Sequence, residues 1–285
     1  DSTLCIESEG TRTRISGERN EYSLATGGIE EFPVIAEFTE VDYLKLPVRF
    51  IHELIRRTIF ATDPDSSRYS LGGVLFLPVD TKFLGVATDG RRLAMQEGAL
   101  EREGNPVIPQ GDSIVPVRSL QILDRSLTDP DETVHLAIRN GNLLVRAGRF
   151  TMYTRMLEGR FPQWDRIMPD ETQLTRIDLP VGGFHTAVRQ AAIVTDETHP
   201  GVGFDFAEGK VTLKACAAET GESHIETPVA YDGPRITVSL DPKFLMDFLR
   251  VLNQDSQITF CVKDAETPIV LHTDDGYSCV VMPLS

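Results

Sequence analysis

The chain has 285 residues, with 43 Asp and Glu against 28 Lys and Arg and a formal net charge of −15. Taken alone, that balance counts against nucleic-acid binding, because a negative body repels phosphate. Four cysteines, at 5, 216, 261 and 279, have no C-x-x-C spacing, which argues against a zinc ribbon and gives no disulfide framework. No apolar run approaches membrane-spanning length and no charged-then-apolar leader precedes a cleavage site; the cysteine usage makes a reducing cytoplasm the expected location. The length exceeds one average domain, and 41% hydrophobic residues suffice for ordinary cores.

Near the start, Tyr22-Ser23-Leu24 is followed by Phe32-Pro33. The same closing pattern returns as Phe150-Thr151-Met152-Tyr153 then Phe161-Pro162, and as Tyr277-Ser278-Cys279-Val280-Val281-Met282-Pro283. Residues 1–39 therefore read as the tail of a copy whose front is absent, in a fragment or processed product that starts at Asp1 without Met. Strands without their helices are expected to be poorly stable unless they pack on the next unit.

Residues 47–61 predict a helix, with Pro47 suited to its first turn and Phe50, Ile51, Leu54, Ile55 and Ile59 as its apolar stripe. Arg49, His52 and Arg56 share another face. The runs 73–79 and 83–88 predict strands, Asp89-Gly90 a hairpin turn, and Leu93-Ala94-Met95 the return strand. Residues 117–127 predict a second helix, with Leu120, Leu123 and Leu127 inward. Strands at 135–139 and 143–146 flank an Asn140-Gly141-Asn142 turn. Residues 160–176 are the expected interdomain linker. The plan then repeats, with helices at 180–194 and 242–252 and strands that include 258–262 and 269–272. The expected class is α+β, two helices per unit packed on one face of antiparallel sheets.

The repetition is residue by residue. Leu46-Pro47-Val48 recurs at Leu179-Pro180-Val181, and at the same spacing His52 meets His185, Arg56 meets Arg189, Thr62 meets Thr195 and Asp63 meets Asp196. Later in each copy Arg118 meets Lys243, Leu120 meets Leu245, Arg125 meets Arg250 and Leu127 meets Leu252. Arg49, Arg56, Arg118, Arg125, Arg189, Lys243 and Arg250 thus lie on helix sides away from the apolar stripes. Side-by-side helices would line these residues up as a basic strip that neutralises phosphates without reading bases. A repeat scaffold that binds only proteins, with these faces merely solvated, is the alternative.

Three motifs carry a resemblance. Ala87-Thr88-Asp89-Gly90-Arg91-Arg92-Leu93-Ala94 resembles the ATDGHRLA segment of the bacterial β sliding clamps, the processivity subunits of DNA polymerase III. Gly159-Arg160-Phe161-Pro162 with Arg166, Ile167 and Pro169 resembles that family's GRFP segment, and Val280-Val281-Met282-Pro283-Leu284 its VVMPM ending. The similarity spans the whole chain, from the last part of the family's first domain (1–39) through its second (40–165) and third (166–285). It implies a DNA clamp fold whose subunits pair head to tail into a ring around duplex DNA. It also implies a pocket between the second and third domains for short peptides of polymerases, the clamp loader and repair proteins. By motif that pocket is expected to use Leu71, Thr88, Gly90, Arg91, Arg92, Leu93, Pro162, Arg166, Ile167, Pro268, Val280, Val281, Met282, Pro283 and Leu284. The family has His where Arg91 stands, and many members extend past the position of Ser285; both bear on peptide preference. Ring closure in the family uses the first domain of one subunit.

No GxSxG, HExxH, P-loop or GxGxxG is present, and the six histidines are scattered. Asp63, Asp65, Asp89 and Asp165 are a conceivable nuclease metal set, but Asp89 is better explained as a turn initiator and Asp63 and Asp196 as residues following helix ends. A non-catalytic protein without cofactor or metal is expected.

Overall fold

The computed structural model describes residues 3–27, 30, 37–66, 69–108 and 111–284. Phe32-Pro33 and Ser285 lie outside the described residues. Two compact units are present, Asp1–Glu37 and Phe38–Ser285. The first holds a three-stranded antiparallel sheet of β1 (Cys5–Glu9), β2 (Arg12–Ser16) and β3 (Glu21–Ala25), with Leu4, Ile6, Tyr22 and Leu24 exposed.

The second unit contains the two copies. The first copy runs β4 (Tyr43–Pro47), α1 (Val48–Thr58), β5 (Gly73–Val79), β6 (Lys82–Thr88), β7 (Arg92–Ala99), β8 (Glu101–Glu103), β9 (Ile114–Pro116), α2 (Val117–Ser126), β10 (Thr133–Arg139), β11 (Asn142–Ala147) and β12 (Phe150–Arg155). The second runs β13 (Thr175–Pro180), α3 (Val181–Ala191), β14 (Val202–Ala207), β15 (Lys210–Ala217), β16 (Gly221–Pro228), β17 (Ile236–Leu240), α4 (Pro242–Arg250), β18 (Gln257–Val262), β19 (Ile269–His272) and β20 (Tyr277–Val281). Apart from the short β8, every strand of one copy has a counterpart in the other.

The matched residues do matched work. Pro47 and Pro180 each end a strand and cap the following helix. A 3-10 turn continues both helices, and Thr62 Oγ and Thr195 Oγ close those turns on the carbonyls of Ile59 and Ala192. Leu120 and Leu245 are fully buried, and Leu127 and Leu252 nearly so. Gly90 takes φ +91° in the predicted β6–β7 hairpin; Asn140 (+50°) and Gly141 (+76°) make the β10–β11 turn. The expected linker is too long by two residues, because Thr175 and Arg176 already pair with Val262 and Cys261.

Three antiparallel sheets follow: β12-β11-β10-β4-β8, then β13-β18-β19-β20-β7-β6-β5-β9, then β16-β15-β14-β17. The central sheet belongs to both copies. Its junction pairs Tyr277 with Gln96, Ser278 with Met95, Cys279 with Ala94, Val280 with Leu93 and Val281 with Arg92.

Strand alternation divides this sheet's side chains between two cores. Inward residues such as Phe76, Ala94, Phe260, Cys279 and Val281 pack in the main core with the helix stripes. Outward residues Leu75, Leu84, Val86, Leu93, Cys261, Val270 and Val280 form a second core, covered by Phe161 and Leu174 of the linker, with Leu157, Trp164 and Met168 partly buried on it. Asp112 accepts from the Phe161 amide at 2.7 Å and fixes the linker's course.

Candidate functional site

The repeated helices place four of the seven predicted basic residues in one groove. Arg49 and Arg56 from α1, Arg125 from α2 and Arg250 from α4 line a cavity of about 810 Å³, together with His52 and Asp124. The strip therefore crosses from the first copy to the second. His52 Nδ1 lies 2.7 Å from Asp124 Oδ1. Arg49 pairs with Asp131 at 2.8 Å and Arg250 with Asp247 at 3.2 Å, all but Asp247 being well exposed. Such exposed pairs are worth little and exchange readily for phosphate. Arg56 and Arg125 have no ion-pair partner among the described residues. Arg118, Arg189 and Lys243 are exposed on their helices but do not line this groove.

A smaller cavity, about 240 Å³, opens on the outer face of the shared sheet. It is lined by Thr88, Gly90, Arg91, Arg92, Leu93, Ile167, Val280 and Met282, all eight expected from the motifs. The β6–β7 turn is held by Asp89, whose carboxylate accepts from the amides of Arg91 and Arg92, while Thr88 Oγ accepts from the Gly90 amide and donates to the Arg92 carbonyl. The Met282 amide donates to the Arg91 carbonyl at 3.0 Å, which ties the C-terminal segment to this turn. Met282 is 39% exposed, an adaptable apolar side chain at the cavity wall.

The other seven motif residues lie elsewhere. Val281 points inward and is fully buried in the main core, because it alternates with Val280. Leu71 is buried beside β5. Pro162 lines a separate cavity with Phe161 and Trp164, and Arg166 is exposed on the adjacent 3-10 turn. Pro268 is half-buried just before β19. Pro283 is half-buried, and the Leu284 amide donates to the Ser239 carbonyl of β17.

Two arginines hold the copies together, a role that no local sequence signal announces. Arg92, only 6% exposed, bonds Asp89 at 2.9 Å, Asp247 of α4 at 2.7 Å and the Phe60 carbonyl at 2.6 Å. Its guanidinium lies over the Phe60 and Phe244 rings. Arg57 of α1 reaches Asp275 at 2.8 Å and Gln96, above the Tyr277 ring. Burial acts to raise the Asp275 carboxyl, but hydrogen bonds from Arg57 and Thr273 outweigh it and hold it below the usual carboxylate range.

The four carboxylates of the conceivable nuclease set do not converge. Asp89 is taken by its turn and Arg92, and the Asp63 carbonyl accepts from Ser66 in a turn of its own. Cys261 and Cys279 are fully buried, as expected of small hydrophobes; burial pushes their thiols up to about 11 and about 12. Cys5 and Cys216 are exposed. No described helix is long and apolar enough to cross a membrane.

Tandem two-helix modules, joined through a shared sheet with basic residues of three of their four helices in one groove, define a DNA clamp fold. The chain belongs to the DNA polymerase III beta subunit family, the beta sliding clamps. Residues 45–163 match the family's central domain and 165–285 its C-terminal domain. The beta sliding clamp of Vibrio cholerae is 28% identical over 285 residues, covering 99% of this chain and 76% of that protein. The beta sliding clamp of Streptococcus pneumoniae is 28% identical, covering 98% and 74%. The crystal structure of the DNA polymerase III subunit beta from Pseudomonas aeruginosa superposes with TM-score 0.88 at 26% identity, covering 99% of this chain and 77% of that one. A clamp structure from the same organism bound to griselimycin gives 0.87 at 26% identity, covering 99% and 76%. These names describe an accessory clamp subunit and not a catalyst, in agreement with the absence of catalytic motifs.

Proposed function

We propose that this chain slides on duplex DNA as the processivity clamp of a replicative polymerase, with the basic groove toward the DNA and the outer cavity toward client peptides. The observation that carries this is the convergence of Arg49, Arg56, Arg125 and Arg250, from three helices and two copies, in one groove of an otherwise acidic molecule. Net negative charge then confines DNA to the groove, and the absence of base-reading geometry suits a protein that must move along any sequence. Arg118 of α2 and Lys243 of α4 would extend the basic surface along two of these helices, and Arg189 would add α3 to it.

Replacing Arg125 and Arg250 by Glu tests this. Binding to a labelled duplex at low salt is expected to weaken, and the slope of log K against log salt to fall by about two units, near one for each phosphate no longer neutralised. Unchanged binding refutes the groove assignment. No duplex binding by the unaltered chain favours the protein-only scaffold.

The outer cavity suits a short peptide with apolar anchors, since Leu93, Ile167, Val280 and Met282 give an apolar wall beside the polar turn. Partners of this kind are polymerase subunits, the clamp loader and repair polymerases. Leu71, Pro162, Arg166, Pro268, Pro283 and Leu284 belong to the surroundings of that cavity in this reading. Arg91, where the family pattern carries His, is the cationic group available to a ligand, because Arg92 is engaged within the protein. Leu93 is 1% exposed, so a charge there also disturbs the fold. Met282→Asp is the cleaner probe. It is expected to lower affinity for a clamp-binding peptide at least tenfold, equal to about 1.4 kcal/mol, by fluorescence polarisation without lowering the melting temperature. Retained affinity defeats the site.

In this reading residues 1–39, 40–165 and 166–285 are the end of a first clamp domain, a second and a third. The shared sheet also suggests how rings close. β16 of the second copy corresponds to β7 of the first and ends its sheet, as β12, the counterpart of β20, ends another. A β20-like strand of another subunit placed on β16 would repeat the β20–β7 junction and form a head-to-tail homodimer. A cytoplasmic site of action accords with this role.

A further inference from the structure

Three chemically different donors meet on the outer face of the shared sheet, and none of them lines the groove or the peptide cavity. A carboxylate oxygen of Glu171, Sγ of Cys261 and a ring nitrogen of His272 lie within 4.8 Å of one another. Strand register accounts for two of them. Thr259 pairs with His272 and Cys261 with Val270, so Cys261 and His272 stand diagonally on one face of β18 and β19. The third comes from the 3-10 turn Glu171–Gln173 at the end of the linker. Asp170 caps that turn through the Thr172 amide, and Lys263 just past β18 donates to Gln173 Oε1 at 3.1 Å. Glu171 is thereby held above the strands.

The polar atoms here are left incomplete by the protein alone. His272 Nε2 lies 3.0 Å from Glu171 Oε1, yet it is buried and makes no aligned hydrogen bond. Ser278 Oγ, on the residue of β20 paired with His272, is likewise buried without a partner. Buried polar atoms are nearly always satisfied, and two unsatisfied neighbours on one sheet face point to a missing ligand. A simple His–Glu ion pair leaves both Ser278 and the misaligned imidazole unexplained.

We propose that Glu171, Cys261 and His272 bind a zinc-class divalent cation. A sulfur, a nitrogen and an oxygen donor fit zinc, whereas magnesium and calcium take oxygen donors. Three protein donors leave one position of a tetrahedron for water. The Cys261 thiol gives its proton to solvent as sulfur bonds the ion. Arg176, paired with Cys261 in register, adds an opposing positive charge but is exposed and free to turn away. Bound, the ion pins the end of the linker to the second copy's sheet.

Cobalt(II) titration of the protein carrying Cys5→Ser and Cys216→Ser is the test, since these two exposed thiols are the competing ligands. The expected result is a single equivalent bound with a thiolate-to-cobalt charge-transfer band. Cys261→Ser should abolish that band. Glu171→Gln, a near-isosteric change on a half-exposed turn whose fold is checked by circular dichroism, should weaken binding by at least the roughly 10–100-fold that follows loss of an outer ligand partner. It should also remove the rise in melting temperature that zinc gives the parent. A folded parent protein without the band, a band that survives Cys261→Ser, or undiminished affinity in Glu171→Gln overturns the site.

Discussion

Replacing Arg92 by Met is expected to lower the stability of the 38–285 unit by about 3–5 kcal/mol, the range for removing one partner from a buried ion pair. For domains of this size that is roughly 6–20 °C in melting temperature. The cost follows from what is left behind. Asp89 and Asp247, 18% and 17% exposed, would face each other's charge without the guanidinium, and the Phe60 carbonyl would lose its donor. The Phe60 and Phe244 rings would lose the planar cation between them. Arg92→Lys keeps the charge but not the three-way fork, so it should recover only part of the loss. Adding Asp247→Leu to Arg92→Met should be less damaging than the single change, because one stranded carboxylate goes with it. Thermal and urea unfolding of the three variants decide the matter. A loss below about 1 kcal/mol, the worth of an exposed pair, would mean that Arg92 is free to serve a peptide in the cavity.

Phe260→Ala should cost about 3–5 kcal/mol, the usual result of truncating a buried aromatic. Phe260 is fully buried and touches Phe184 of α3 (centroids 6.0 Å apart) and Phe206 of β14 (5.1 Å). It thus joins the inner face of one sheet, a helix and a second sheet within the second copy. The register equivalent in the first copy is Leu136, because Leu44 pairs with Leu136 as Ile177 pairs with Phe260. The first copy fills its core differently, with Phe50, Phe76 and Phe83 in edge-on contact. Amide exchange in the variant should therefore speed up first in β14, β15 and β18, while β10 and β11 keep their protection. Uniform loss across both copies would show that the two copies unfold as one.

Much of this architecture is legible in the sequence because local signals agree with it. Phe50, Ile51, Leu54 and Ile55 recur at helical spacing and are buried, and Asp89-Gly90 and Asn140-Gly141 make the turns they announce. The shared sheet is not legible. Residues 92–96 and 277–281 are largely buried on both faces, so their near-continuous runs carry no sign of which strand they join. The motif resemblance put Val281 beside Val280 in the expected pocket, although neighbours on a strand face opposite ways. Arg57 and Arg92 are hidden for a different reason. A basic residue on a helix or turn ordinarily faces solvent, and their acidic partners Asp275 and Asp247 are remote in sequence. The outer cavity is legible only through the motif resemblance; periodicity alone marks Leu93 and Val280 as core. The Glu171, Cys261 and His272 cluster has no sequence signature, since its spacing is set by strand register and by the path of the linker.

The junction between β20 and β7 has a mechanical meaning. Five consecutive residue pairs cross it, so parting the two modules means breaking a continuous backbone ladder and not merely bending a loop. If a ring of the proposed kind repeats this ladder at every seam, the seams between polypeptides are the ones with no covalent linker across them, and opening belongs there.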